Sequence, residues 1–134
     1  MNISSYEDLL NAARQQPEPQ RLLFVFTQPE LPDGYTEVQI KRFHEGKGGV
    51  LTPKMCTDKA LDELGDFSDL VTESRQTEQD WKIVFVACLA GRAGVMPSTE
   101  EAQEPLKKMV EAIQNGAVSK YLAYDRDGNQ IQFS

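Results

Sequence analysis

Two short runs, "RLLFVFT" at 21–27 and "WKIVFVACL" at 81–89, constrain the fold of this chain more than anything else in it. Each has strand length, is rich in aromatic and β-branched residues, and is apolar at consecutive rather than alternating positions. Successive side chains of a strand leave on opposite faces, so apolar residues on both faces require protein cover on both sides. Two such strands separated by segments of helical period predict a parallel pair at the centre of the sheet. The pattern therefore reads as an α/β fold. It predicts a mixed sheet with two central parallel strands flanked by helices, closed by a C-terminal β-hairpin.

The flanking segments carry their own punctuation. Ser4 and Glu7 fit a capping box, and Tyr6, Leu9, Leu10 and Ala13 follow at helical spacing, which predicts a helix over 5–15 ended by "PEP" at 17–19. Thr36 and Gln39 form a second capping box for a helix over 36–46, with Ile40 and Phe43 on one face and Gly46 as its stop. "GKGGVLTP" reads as a flexible loop with a short edge strand at 49–52. A third helix is expected over 58–75, with Leu61, Leu64, Phe67 and Val71 lining one face. Leu106, Met109, Val110 and Ile113 mark a fourth helix closed by Asn115-Gly116. Pro105 predicts that its regular part begins near Glu104, or that a short turn at 98–103 precedes it. "VSKYLAYDRDGNQIQF" reads as a hairpin turning at Asp127-Gly128.

A chain of 134 residues is expected to form one compact α/β domain over 1–134. At that size folding buries roughly two thirds of the unfolded surface, enough for a core without disulfides or metals. "MNISSYEDLL" has neither the basic nor the apolar region of a signal peptide, and no run of 18 apolar residues occurs. The expectation is a cytoplasmic protein away from membranes. Lys and Arg number 14 against 21 Asp and Glu, a net charge of −7. Such a surface repels phosphate backbones, and no basic run exceeds a pair, so nucleic acid is not expected as a partner. Oligomeric state is left open.

The junction "VACLAGRAGVMPSTEEAQEPL" at 86–106 is the most suggestive stretch, because a strand-to-helix loop is where α/β proteins often hold ligands. Gly91 and Gly94 would let a backbone approach, Arg92 would supply charge, and Met96 an apolar contact. Ser98 and Glu101 then open a capped helical turn. Glu100, Glu101 and Glu104 crowd that turn, already complement the helix dipole, and would repel phosphate. The stretch matches neither a P-loop nor G-x-G-x-x-G. A neutral or cationic ligand, a protein partner, or a plain connecting loop are the readings left open. Cys88, His44 and Lys47 complete the candidate contact residues.

The remaining chemistry is sparse. Cys56 and Cys88 are too far apart for a C-x-x-C pair and read as reduced thiols. If one were a nucleophile, His44, the single histidine, would have to be its base; as the last residue of a short helix it reads better as a solvated side chain. Lys47 sits among glycines but lacks the strand before it and the Ser or Thr after it that a nucleotide loop needs. "DRDGNQIQF" begins like a calcium loop, yet Gln130 stands where that loop needs glycine, and its twelfth position would fall beyond Ser134. A hairpin turn accounts for Asp125, Asp127 and Gly128. No metal or cofactor is expected, and Trp81 is assigned to packing.

Several segments together carry a resemblance: "SYEDLLNAARQQPEPQRLLFVF", "GKGGVLTPKMC", "VFVACLAGRAGVMPS", "EPLKKMVEAIQNG" and "YDRDG". Across nearly its whole length the chain resembles a family of small uncharacterised proteobacterial proteins, often labelled automatically as ribonucleotide reductase alpha subunit. Two distant cysteines in 134 residues do not support that label, since the reductase needs a cysteine cluster and a far longer chain. The resemblance implies a bacterial cytoplasmic origin and one compact domain, and brings no catalytic residues with it.

Three functional readings follow. The first is a binding or regulatory module for a protein partner, favoured by the acidic surface, the lack of a catalytic constellation, and loops at 28–35 and 44–54. The second is a small-molecule site or enzyme at the 91–97 loop. The third is a thioredoxin-like fold without redox activity.

Overall fold

The computed structural model describes residues 6–30, 36–44, 50–77, 80–118 and 121–131, with backbone alone at 39, 42–44 and 50. Along the chain these form α1 (Tyr6–Arg14), β1 (Gln20–Glu30), α2 (Glu37–His44), β2 (Val50–Ala60), a 3-10 turn (Leu61–Glu63), α3 (Phe67–Arg75), β3 (Ile83–Ala90), α4 (Thr99–Gln114) and β4 (Leu122–Asp125). The strands make one sheet in the order β2-β1-β3-β4, and every neighbouring pair is antiparallel.

The consecutive apolar residues of β1 are divided between two cores. Leu22, Phe24 and Phe26 join Tyr6, Leu9 and Leu10 of α1, Leu70 and Val71 of α3, and Trp81, Val84, Val86 and Tyr124. Leu23 and Val25 leave the opposite face and meet Phe85, Ala123 and the Ala102, Leu106, Met109 and Ile113 stripe of α4. The sheet is thus a middle layer, with α1 and α3 on one side and α4 across β1 and β2 on the other. Each fully buried large side chain contributes roughly 1.5–3 kcal/mol of transfer free energy, so both layers are needed to keep β1 dry.

The two interior strands are present as read, but they are not parallel. Leu23 lies opposite Ala87, and Thr27 opposite Ile83, in antiparallel register. The reason is β2. An 11-residue strand occupies the stretch read as a loop, a short edge strand and the start of a helix. It pairs with β1 from Arg21↔Ala60 to Glu30↔Val50. The chain therefore reverses once before α3 carries it across the sheet. The helical crossover joins β2 to β3, which run in the same direction on either side of β1, rather than joining β1 to β3.

The expected helix over 58–75 is also broken. Residues 58–60 finish β2, and α3 begins only after Asp66, whose side chain accepts a hydrogen bond from the Asp69 amide at 3.0 Å. Leu61, Leu64 and Phe67 still pack on one core, as their spacing suggested, through a turn and an extended link instead of one helix. Pro105 does not delay α4, which runs unbroken from Thr99 behind the Ser98–Glu101 capping box. An interior proline costs about 3 kcal/mol, and here it is offset by the buried face of the same helix. Among the described residues the C-terminal hairpin is β4, a turn, and a return paired through the Tyr124–Gln130 bridge, with the Ile131 amide donating to the Ala123 carbonyl at 2.9 Å and the Asp125 amide to the Asn129 carbonyl at 3.0 Å. Ser4 and residues 31–35 and 45–49, Gly46 among them, lie outside the described residues. The remainder of the two candidate loops, 28–30 and 50–54, is strand.

Candidate functional site

A cleft of about 660 Å³ opens where α1, the 64–68 link and the turn after β4 meet. Its floor is apolar. Leu10 comes from α1, Leu64 from the link and Phe67 from the first turn of α3. The Tyr6 and Phe67 rings stand edge to face at 5.1 Å, and Tyr124 completes the aromatic group 6.0 Å from Tyr6. These rings are fixed from three directions, by a helix, a helix start and a core strand, so the floor is rigid.

The rim is charged. Glu7, Asp66 and Asp127 line the cleft, with Arg14 at the far end of α1. Asp66 is held by its capping role: its Oδ1 accepts from the Ser68 hydroxyl at 2.7 Å and from the Asp69 amide. Those hydrogen bonds, Ser68 first, hold its carboxyl below the usual range. Asp127 is presented by a turn built on Asp125, whose Oδ1 accepts from the Asp127 amide at 2.9 Å and from the Asn129 amide at 3.0 Å. Gly128 closes that turn at φ +85, where a side chain would be strained and would press on the Phe67 ring. The calcium-like "DRDGN" is thus a turn whose first carboxylate is spent on backbone amides. Arg14 donates to Asn11 of its own helix at 3.0 Å.

Tyr6 is 3% exposed, and among the described residues its hydroxyl has no hydrogen-bond partner. An unsatisfied buried hydroxyl costs about 1–3 kcal/mol. Burial, then Tyr124 and Asp66, push its pKa above the ordinary phenol value. It remains a neutral donor facing the same group of residues as the cleft.

Ser68 against Asp66 has the separation of a nucleophile and a base. The same contact lowers the basicity of Asp66, however, and a weak base next to an ordinary hydroxyl does not activate it. The pair is a helix cap.

The junction singled out in the sequence forms a second, smaller cleft of about 280 Å³ between the end of β3 and the first turns of α4. Gly91, Arg92, Met96, Glu101 and Pro105 line it. Arg92 and Val95 close a two-residue hairpin, with Ala93 at φ 51 and Gly94 at φ 78, the mirror-image turn that suits strand twist. Gly91 must be glycine, since a Cβ would fall 2.1 Å from the Val95 carbonyl oxygen. The Gly94 amide, which would have served an anion, already donates to the Glu18 carboxylate at 3.0 Å. Gly91, Arg92 and Met96 line one cleft, Gly94 lies in the turn beside it, and Cys88 is not among its lining residues.

Val50 pairs with Glu30 and Ala90 with Gln20, so the start of β2 and the 91–97 loop lie about 33 Å apart along β1. His44 ends α2 with its side chain outside the described residues, and Lys47 lies outside them altogether. Cys88 is exposed and lies opposite Leu22, on the α1 face, whereas Cys56 lies opposite Val25, on the α4 face. Desolvation of the thiol raises the Cys88 pKa, the reverse of what a nucleophile needs. Among the described residues no group of three His, Cys, Asp or Glu could hold a metal ion, and no helix is long and apolar enough to cross a membrane.

The wider cleft was invisible in the sequence because its walls come from residues near 6–14, 64–68 and 127–128. The available signal was local: Asp66 and Asp69 bracket a helix start, and Asp127-Gly128 a turn. Neither says that the two meet. Comparisons with protein-family models, with curated proteins and with solved structures find no match.

Proposed function

We propose that the chain is a binding module that receives a segment of a protein partner in the cleft between α1 and the start of α3. The observation that carries this reading is the open apolar floor of Leu10, Leu64 and Phe67 inside a charged rim. An apolar pocket with a few convergent polar groups is the general form of a recognition site. Its parts sit on element ends locked by caps and aromatic packing, so little ordering is needed on binding. The smaller cleft beside Arg92 supports a small-molecule reading less well, because its turn amide is occupied by Glu18 and residues 50–54, the described part of the second candidate loop after α2, lie at the other end of β1.

Affinity capture with paired variants tests this. Leu64→Arg blocks the floor, and Val95→Arg, at an exposed turn residue, alters the smaller cleft. A partner kept by the wild type and by Val95→Arg but lost from Leu64→Arg is the expected result, with thermal unfolding showing that both variants are folded. A partner lost only from Val95→Arg would overturn the reading.

A further inference from the structure

Resting on that reading, we infer that the group the cleft admits is a basic side chain, arginine or lysine, projecting from the partner. Three carboxylates and one guanidinium line the cleft. The guanidinium is turned to Asn11, while among the described residues Glu7 and Asp127 have no ion-pair partner. The charge facing the floor is therefore negative.

The apolar residues add a shape requirement. A small inorganic cation would leave Leu64 and Phe67 uncovered. A long basic side chain lays its methylene stem on such a floor and keeps its charge at the rim. Asp66 precedes Phe67 in the chain and Asp127 precedes Gly128, which lies against the Phe67 ring, so both carboxylates belong to the residues around that ring. A stem lying on Phe67 would bring its head to the rim that carries these carboxylates. The molecule uses the same packing internally, where the Arg126 guanidinium lies 5.0 Å from the centroid of the Trp81 ring. The buried Tyr6 hydroxyl supplies a second, independent sign that something is to be held here. Among the described residues it is a donor with no acceptor, on a side chain that lines the same cleft.

The test is a titration of the isotope-labelled chain, followed by amide chemical shifts, with three blocked tripeptides: acetyl-Gly-Arg-Gly-amide, its norleucine analogue and its glutamate analogue. The arginine peptide is expected to shift the amides of Gly65, Phe67 and Gly128 saturably, with the other two much weaker. Asp66→Asn and Asp127→Asn should each weaken arginine-peptide binding about two- to fivefold, the range for an exposed ion pair. Both variants keep the fold, since asparagine caps a helix as well as aspartate does and the Asp127 side chain serves no turn contact. Raising the salt should weaken binding as well. Equal binding of the norleucine peptide would overturn the basic class and leave the cleft standing as a site. Shifts confined to Arg92–Pro97 with every peptide, or no shifts at all, would overturn both.

Discussion

Arg21 Nε lies 2.9 Å from Asp58 Oδ2, joining the start of β1 to the end of β2, and Thr99 at the head of α4 closes the group. The Thr99 hydroxyl accepts from Arg21 Nη2 at 2.7 Å and donates to Asp58 Oδ2 at 2.9 Å. The two charged side chains are 11% and 9% exposed. One ion pair thus fixes the edge strand, its central neighbour and the covering helix at a single point.

Removing Asp58 leaves the Arg21 guanidinium with the more distant, exposed Glu63 carboxylate, 3.8 Å away, as its ion-pair partner among the described residues. Asp58→Ala should destabilise the chain by about 3 kcal/mol, the low end for a broken buried pair, measured by urea unfolding. The double variant Arg21→Met, Asp58→Leu should recover most of that loss. Equal losses for the single and double variants would show that the pair's charge is not the cause.

Ala93 is the one non-glycine residue at positive φ among those described. The left-handed conformation costs an L-residue roughly 1–2 kcal/mol, and glycine escapes it. Ala93→Gly should raise stability by up to about 1 kcal/mol, since glycine gives back some chain entropy in the unfolded state. Ala93→Val should lower it. The midpoint of urea unfolding distinguishes the two directions.

Stability should fall at high pH. Burial, with smaller contributions from Asp8 and Cys88, pushes the Tyr124 phenol up to about 12, and Tyr6 is raised as well. A folded-state pKa above the unfolded value near 10 means that the folded state holds the proton more tightly. The contribution is therefore complete below about pH 10 and is lost as pH climbs toward 12. Thermal midpoints should be flat from pH 7 to 9 and decline steeply above 10. Tyr6→Phe should soften that decline. It should also stabilise the protein by about 1 kcal/mol at neutral pH by removing an unsatisfied hydroxyl.

The thiols offer a check on the sheet itself. Cys56 and Cys88 leave opposite faces, so no disulfide can join them within one chain. Mild oxidation followed by mass spectrometry under denaturing conditions should find no intramolecular bridge. With its raised pKa, Cys88 should react slowly with a thiol reagent at pH 7 and speed up as pH rises.

The layers were legible from residue pattern, and the direction of the strands was not. Five consecutive buried residues, Leu22 to Phe26, state that β1 is covered on both sides, and the α4 stripe and its Ser98–Glu101 cap are equally plain. β2 was hidden by its own edge position. Pro53 reads as a strand breaker, and at the irregularity between Phe26 and Thr27 Lys54 has no opposite residue, which interrupts the period of two. An edge strand with one weakly apolar face has no signal to compete with that. Losing it turned an antiparallel sheet into an apparent parallel pair. Of the seven residues proposed for a site, Gly91, Arg92 and Met96 share a cleft because they are neighbours in sequence. The larger cleft depends on Tyr6, Phe67 and Asp127 converging, which only the folded chain reveals.

Contacts between bound peptide and protein, read as intermolecular nuclear Overhauser effects, bear most directly on where this molecule recognises its partner. With acetyl-Gly-Arg-Gly-amide, the arginine methylenes should show cross-peaks to the Phe67 ring and to Leu64. Cross-peaks to Val95 and Met96 instead, with none to Phe67, would contradict the assignment of the cleft between α1 and α3.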